Sequence, residues 1–307
     1  MAGKYLKLYL RSLSQLSELY YFLGEFNKGI SLTNAVIKDR RFRYKDLMTS
    51  VTAAYGRRGL ALKAMGKTAA ALRDLCKALR LARENGDVFG ISAQLGNLGL
   101  IYSDAAEYEK AFGYFSEALS LAEKADNKKL TANHSGNLGA IYAARHDYEK
   151  ALSFHFRSLN IHQNLKDRIG ELNDYGNIAM AFLDQGKIPE AEEMQKNAVQ
   201  ISERYCFKEL RAISICNLGV IYLETGRRDT ALPYFKEAYL LSKEMGLPQE
   251  TINCLVNMGL VYNERKEYKT ALRYFREAKV LYDKYGRLFA YEYTMGLIAE
   301  TEKLIGR

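Results

Sequence analysis

The chain has 307 residues and a formal net charge of +9; 48% of its residues are hydrophobic, 26% are charged, and only 3 are proline. No run of 18 or more apolar residues is present, which excludes a membrane-spanning helix, and the start Met1 to Leu10 lacks the apolar stretch and small-residue cleavage site of a signal peptide. The four cysteines (Cys76, Cys206, Cys216, Cys254) have no C-x-x-C spacing and fit a reducing cytosol, so a cytoplasmic protein is expected.

In chain order, a first helix pair is expected over about 5–47. It is degenerate: Gln15-Leu16-Ser17-Glu18-Leu19-Tyr20 carries the helical pattern, and Gly29 stands two residues out of the later period. The stretch Lys38-Asp39-Arg40-Arg41-Phe42-Arg43-Tyr44-Lys45 follows. It is the densest part of a basic N-terminal third: residues 1–90 hold 17 Lys/Arg and 7 Asp/Glu, whereas the rest hold 28 and 29. Three readings stay open for this run: a solvated loop, a contact for an acidic protein surface, or an electrostatic and stacking patch for nucleic acid through Phe42 and Tyr44.

A motif then recurs every 40 residues, five times. It reads Asn97-Leu98-Gly99-Leu100-Ile101-Tyr102, then Asn137 to Tyr142, Asn177 to Phe182, Asn217 to Tyr222 and Asn257 to Tyr262. A fixed long period marks a stacked-repeat protein. Within 89–128, Leu95, Leu98, Ile101 and Tyr102 have the spacing of an amphipathic helix; Tyr108, Ala111, Phe112, Phe115, Ala118, Leu119 and Ala122 make a second; Asp126-Asn127 marks a turn. Each unit is therefore two antiparallel helices, A and B. The expected units are about 5–47, 48–88, 89–128, 129–168, 169–208, 209–248 and 249–287, forming one array with a solvated capping helix over 288–305.

Small residues keep one register: Gly59, Gly99, Gly139, Ala179, Gly219 and Gly259 on A, and Ala71, Ala111, Ala151, Ala191, Ala231 and Ala271 on B. Glycine inside a helix costs about 1 kcal/mol relative to alanine. Its recurrence therefore implies a compensating close approach of helix B. The large residues beside it, Tyr102, Tyr142, Phe182, Tyr222 and Tyr262, then Phe115, Phe235 and Phe275, are read as packing.

The spacing of Leu95, Leu98, Gly99, Tyr102, Ala111, Phe115 and Ala118 resembles the tetratricopeptide repeat. The likeness covers nearly the whole chain, with two departures: the period is 40 rather than 34, and the late proline is missing. The six extra residues lengthen the end of B and the start of the next A. This 40-residue variety resembles spindle-orientation adaptors with Leu-Gly-Asn motifs, bacterial peptide-pheromone sensors and, more distantly, kinesin light chains. The resemblance implies an all-α, right-handed superhelical solenoid of antiparallel helix pairs whose A helices line a concave groove. It also implies asparagine contacts to a peptide main chain.

The residues point the same way. Steps of −4, +3 and +7 from each asparagine stay on one helix face not used against B. This face carries Asn97 with Asp104, Asn133 with Asn137, Asn173 with Asn177 and Asp184, Asn217 with Glu224, and Asn253 with Asn257 and Glu264. Asparagine is a mediocre helix former, and its amide both donates and accepts, so it can pair with the C=O and N–H of an extended peptide. The alternative is that it bonds to the next repeat and fixes the stacking. The acidic row Asp104, Asp184, Glu224 and Glu264 suits a ligand with Lys/Arg among apolar residues, or is simply solvated. Arg57 ends the row and either pairs with a partner carboxylate or is a solvated end residue.

The four histidines, His134, His146, His155 and His162, make no metal pattern, and His155 takes the Phe115 slot. No phosphate loop, G-x-S-x-G or H-E-x-x-H occurs. The expectation is a non-enzymatic adaptor for an extended peptide or disordered segment, without cofactor, metal, membrane or small-molecule substrate. A signalling-peptide sensor using the same groove is the alternative, ahead of nucleic-acid binding.

Overall fold

A computed structural model describes residues 2–22, 24–38, 45–285 and 290–306. Residues 39–44 of the basic run lie outside the described residues. Every described element is a helix, and the helices fall into two compact units, residues 1–165 and 166–307.

The first unit holds α1 (Ala2–Phe22), α2 (Phe26–Lys38), α3 (Lys45–Ala64), α4 (Thr68–Asn85), α5 (Val88–Asp104), α6 (Tyr108–Lys124), α7 (Lys128–Ala144) and α8 (Tyr148–Leu165). The second holds α9 (Arg168–Asp184), α10 (Ile188–Arg204), α11 (Lys208–Glu224), α12 (Arg228–Glu244), α13 (Pro248–Glu264), α14 (Tyr268–Tyr285) and α15 (Tyr291–Ile305). Each unit is a solenoid of antiparallel pairs in which neighbours in sequence pack on one another. From α5 onward most helices are 17 residues long. Three-residue turns separate them, and both helices thus share the extra length of the 40-residue period.

The A-to-B turns place Gly66, Ala106, His146, Gly186, Gly226 and Lys266 at positive φ. Glycine meets that requirement without strain, and the non-glycine residues meet it at a cost of about 1–2 kcal/mol. Helix starts are fixed by side-chain caps where the sequence offers them: Asp87 accepts from the Gly90 N–H at 2.8 Å, Asn127 from Leu130 at 3.0 Å and Asp167 from Gly170 at 3.1 Å.

From Gly99 onward the repeated glycines lie under aromatic rings, while Gly59 lies against Leu75. A Cβ on Gly99 would come within 2.6 Å of the Phe115 ring, and one on Gly219 within 2.7 Å of Phe235. Phe115, Phe235 and Phe275 are fully buried there. In the first unit the core runs from Leu75, Leu95, Leu98 and Ile101 to Phe115, Leu138 and Ile141. In the second it joins Leu218, Phe235, Leu255, Met258, Phe275 and Tyr282. A second aromatic from helix B stacks on the tyrosine of helix A: Tyr102 on Tyr114 with centroids 5.3 Å apart, Tyr222 on Tyr234 at 5.2 Å, Tyr262 on Tyr274 at 5.5 Å.

Candidate peptide-binding face

Three rows on the A helices have separate roles. The row three residues before each asparagine is buried although it is mostly polar: Gln94, His134, Asp174, Ser214 and Cys254. Gln94, His134 and Cys254 insert between successive A helices of one unit. Gln94 lies on Gly56, where a Cβ would meet its amide at 2.6 Å, and His134 lies on Gly96, at 2.5 Å. In the second unit Cys254 meets Cys216, with the sulfurs 3.8 Å apart. The contact thus joins position −3 of one repeat to position −1 of the repeat before it. The spacing of apolar residues does not mark this row; its signal in the sequence is the glycine at 56, 96, 136 and 176, one residue before the motif.

His134 donates from Nε2 to the Ser92 hydroxyl at 3.0 Å, since Ser92 itself donates to the Ala118 carbonyl at 2.9 Å. That leaves its Nδ1 as a buried acceptor with no partner. Burial pushes the His134 pKa down to about 4.

The motif asparagines stand beside this row. Asn97 and Asn137 are half-buried in the first unit. Asn97 makes one long bond, Nδ2 to Gln94 Oε1 at 3.3 Å, and Asn137 makes no side-chain hydrogen bond with a described residue of its unit. In the second unit Asn177 is exposed, Asn217 and Asn257 are half-buried, and Asn257 donates to the Cys216 sulfur at 3.6 Å. Asn177 and Asn217 make no side-chain hydrogen bond with a described residue of that unit. Asn133, Asn173 and Asn253 are exposed, and Asn253 accepts from Gln249 at 2.9 Å.

The charged candidates divide. Asp104 pairs with Lys63 at 2.6 Å, Glu264 pairs with Arg228, and Arg57 pairs with Glu18 at 3.1 Å. Asp184 and Glu224 are exposed and have no ion pair among the described residues of their unit. Arg57 and Asn97 come together on a pocket of about 290 Å³ with Glu18, Tyr21, Phe89 and Ala93. Phe89, 56% exposed on its rim, was not singled out from sequence. Among the described residues no His/Cys/Asp/Glu group is arranged to hold a metal, and no helix is long and apolar enough to cross a membrane.

The tetratricopeptide repeat family model matches residues 52–85, 91–164, 171–244 and 210–284. The chain belongs to the tetratricopeptide repeat family. Among curated proteins, none matches its sequence. Solved structures share the repeat fold at low identity. The apo form of RapI aligns with a TM-score of 0.65 at 16% identity, over 90% of this chain and 77% of its own. A Rap protein complexed with competence and sporulation factor aligns at 0.63 and 13%, over 97% and 98%. Kinesin light chain repeats from Podosopora anserina align at 0.51 and 14%, over 62% and 93%. The tetratricopeptide chain thus has the repeat type of the Rap and kinesin-light-chain structures, a likeness of fold.

Proposed function

We propose that the open face of the A helices holds an extended peptide or disordered protein segment, gripped along its backbone by the motif asparagines. The chain acts in this reading as a non-enzymatic scaffold in the cytoplasm. The observation that carries the reading is a division of labour on helix A. Contact between A helices falls to Gln94, His134 and Cys254 of the buried row, joined among the motif asparagines by Asn257 on Cys216. The carboxamides of Asn137, Asn177 and Asn217 are left without bonds inside their units. An amide that no longer serves the scaffold has a donor and an acceptor to offer a guest.

In the second unit the guest runs past Asp184 and Glu224, whose charges no described residue of that unit neutralises, so it carries Lys or Arg there. In the first unit Arg57 is already paired with Glu18, and its role is to border the pocket beside Phe89. One observation favours a sensor over a passive adaptor: a structural relative, a Rap protein, is complexed with competence and sporulation factor. In that variant of the proposal the guest is a short signalling ligand on the same face.

The test is peptide tiling of proteins retained on the immobilised chain, followed by titration of the best peptide. The triple change Asn137→Ala, Asn177→Ala, Asn217→Ala is expected to keep helicity and to weaken binding more than about tenfold, three lost bonds of about 0.5–1.5 kcal/mol each. Unchanged affinity in the folded triple variant sinks the asparagine ladder.

A further inference from the structure

Cys216 and Cys254 are the one pair in the interleaved rows where sulfur meets sulfur. Cys216 stands at position −1 on α11, in the slot that glycine takes at 56, 96, 136 and 176. Cys254 stands at position −3 on α13, the slot of Ser214. α11 and α13 pack directly, and the two Sγ atoms are 3.8 Å apart. A third group completes the cluster: the Asn257 amide donates to the Cys216 sulfur at 3.6 Å.

We propose that Cys216 and Cys254 form an oxidisable dithiol site that takes a small hydroperoxide and closes to a disulfide between successive repeats. The two sulfurs are not equivalent. Cys216 receives hydrogen bonds from the Cys254 thiol and from Asn257; both stabilise its thiolate and hold it below the ordinary thiol range. Cys254, facing that sulfur and buried, is pushed above it. Glu250, one turn before Cys254, opposes an anion on either sulfur, and burial raises its own carboxyl. Cys216 is therefore the attacking sulfur and Cys254 the resolving one.

The chemistry balances without a further reagent. The Cys216 thiolate attacks one oxygen of hydrogen peroxide; the O–O bond breaks, the departing oxygen takes a proton and leaves as water. The sulfur, oxidised by two electrons, is now a sulfenic acid. Cys254 then attacks that sulfur; the S–S bond forms, the S–O bond breaks, and the hydroxyl leaves with the Cys254 proton as a second water. Access selects the oxidant. Cys216 is 9% exposed beside the half-exposed Asn217 and Asn257, and Cys254 is 1% exposed. So little exposed surface favours a small oxidant such as hydrogen peroxide over a bulky disulfide. Closing the bond needs a sulfur separation of about 2.05 Å, which draws α13 toward α11 and releases the Asn257 amide from Cys216.

The experiment exposes the full chain to hydrogen peroxide, alkylates the remaining thiols and maps all four cysteines by mass spectrometry. The expected result is a linked peptide pair containing Cys216 and Cys254, two hydrogens lighter than the thiols and restored by dithiothreitol. In Cys254→Ser, a change to the residue that already fills this slot at Ser214, Cys216 is expected to stop at a sulfenic acid that dimedone traps. The double variant Cys76→Ser, Cys206→Ser, altered only at exposed positions, must still lose both remaining thiols together. The proposal is overturned if Cys216 and Cys254 stay as thiols while Cys76 and Cys206 oxidise, or if any other pairing forms in their place.

Discussion

The imidazole of His155 lies over Gly139, where an added Cβ would come within 2.7 Å of the ring. Phe115 lies over Gly99 in the same way, as do Phe235 over Gly219 and Phe275 over Gly259. His155 is thus a polar residue in an aromatic socket, 1% exposed, with an Nδ1 that no donor reaches. An unsatisfied buried polar atom costs about 1–3 kcal/mol. His155→Phe is therefore expected to raise the urea midpoint and the melting temperature. Circular dichroism through both transitions measures it, and a lowered midpoint rejects the socket argument.

Acid should destabilise the first unit through two rings. Burial pushes His155 and His134 each down to about 4 from an ordinary 6.5. Between those values the unfolded chain binds protons that the folded chain refuses, so stability rises with pH there. The stabilisation is fully present above about pH 6.5 and is lost as pH falls toward 4. The gap corresponds to about 3 kcal/mol per ring as an upper bound. The midpoint measured at pH 7 and pH 5 should fall clearly for the native chain and by less for His155→Phe. Equal pH dependence in the two proteins rules out His155 as a contributor.

The helix pairs were legible because their determinants are local and repeated. Gly99, Gly139, Gly219 and Gly259 recur at one register, and the turn residues Gly66, Gly186 and Gly226 recur at another. The 40-residue period puts His146 in that same turn slot, and it has φ 61°. The interleaved row was not legible, because its members are chemically unlike: glutamine, histidine, aspartate, serine and cysteine share only a size limit set by the residue opposite. Ion pairs such as Arg57 with Glu18 and Asp104 with Lys63 also escaped a periodic reading, since they span about one repeat and occur at single positions.

Two glycines on successive helices should respond in opposite senses to alanine. Gly99→Ala gains about 1 kcal/mol of helix propensity but drives a methyl into the Phe115 ring. That ring is held by Leu119, Leu138 and Ile141, so overpacking of about 1–3 kcal/mol outweighs the gain. Gly113 lies exposed on α6, and a methyl added there would meet nothing within 4 Å. Gly113→Ala should stabilise by about 1 kcal/mol. Urea melts of both variants decide it, and a stabilising Gly99→Ala would contradict the close-approach account of the repeated glycine.

Removing residues 209–248 in register should leave a shorter folded array. The deletion joins α10 to α13 through the turn 205–207 that now precedes α11, with Lys208 taking the place of Pro248, since these two residues hold equivalent positions. Cys254 would then take the Ser214 slot, one repeat after Gly176, and an added Cβ at Gly176 meets nothing within 4 Å, so the thiol has room. Gln195, which donates to the Ser214 carbonyl at 3.0 Å, would find the Cys254 carbonyl in that place. The losses include surface pairs such as Arg265 with Asp229, Arg228 with Glu264 and Arg211 with Glu203, each worth about 0–1 kcal/mol, and the pair of Arg227 with the part-buried Glu192. Because each repeat is stabilised mainly by its neighbours, mean helicity per residue should stay within about a tenth of the native value while the urea midpoint falls. A chain that loses its helicity altogether would mean that stability in the second unit is not a sum of nearest-neighbour terms.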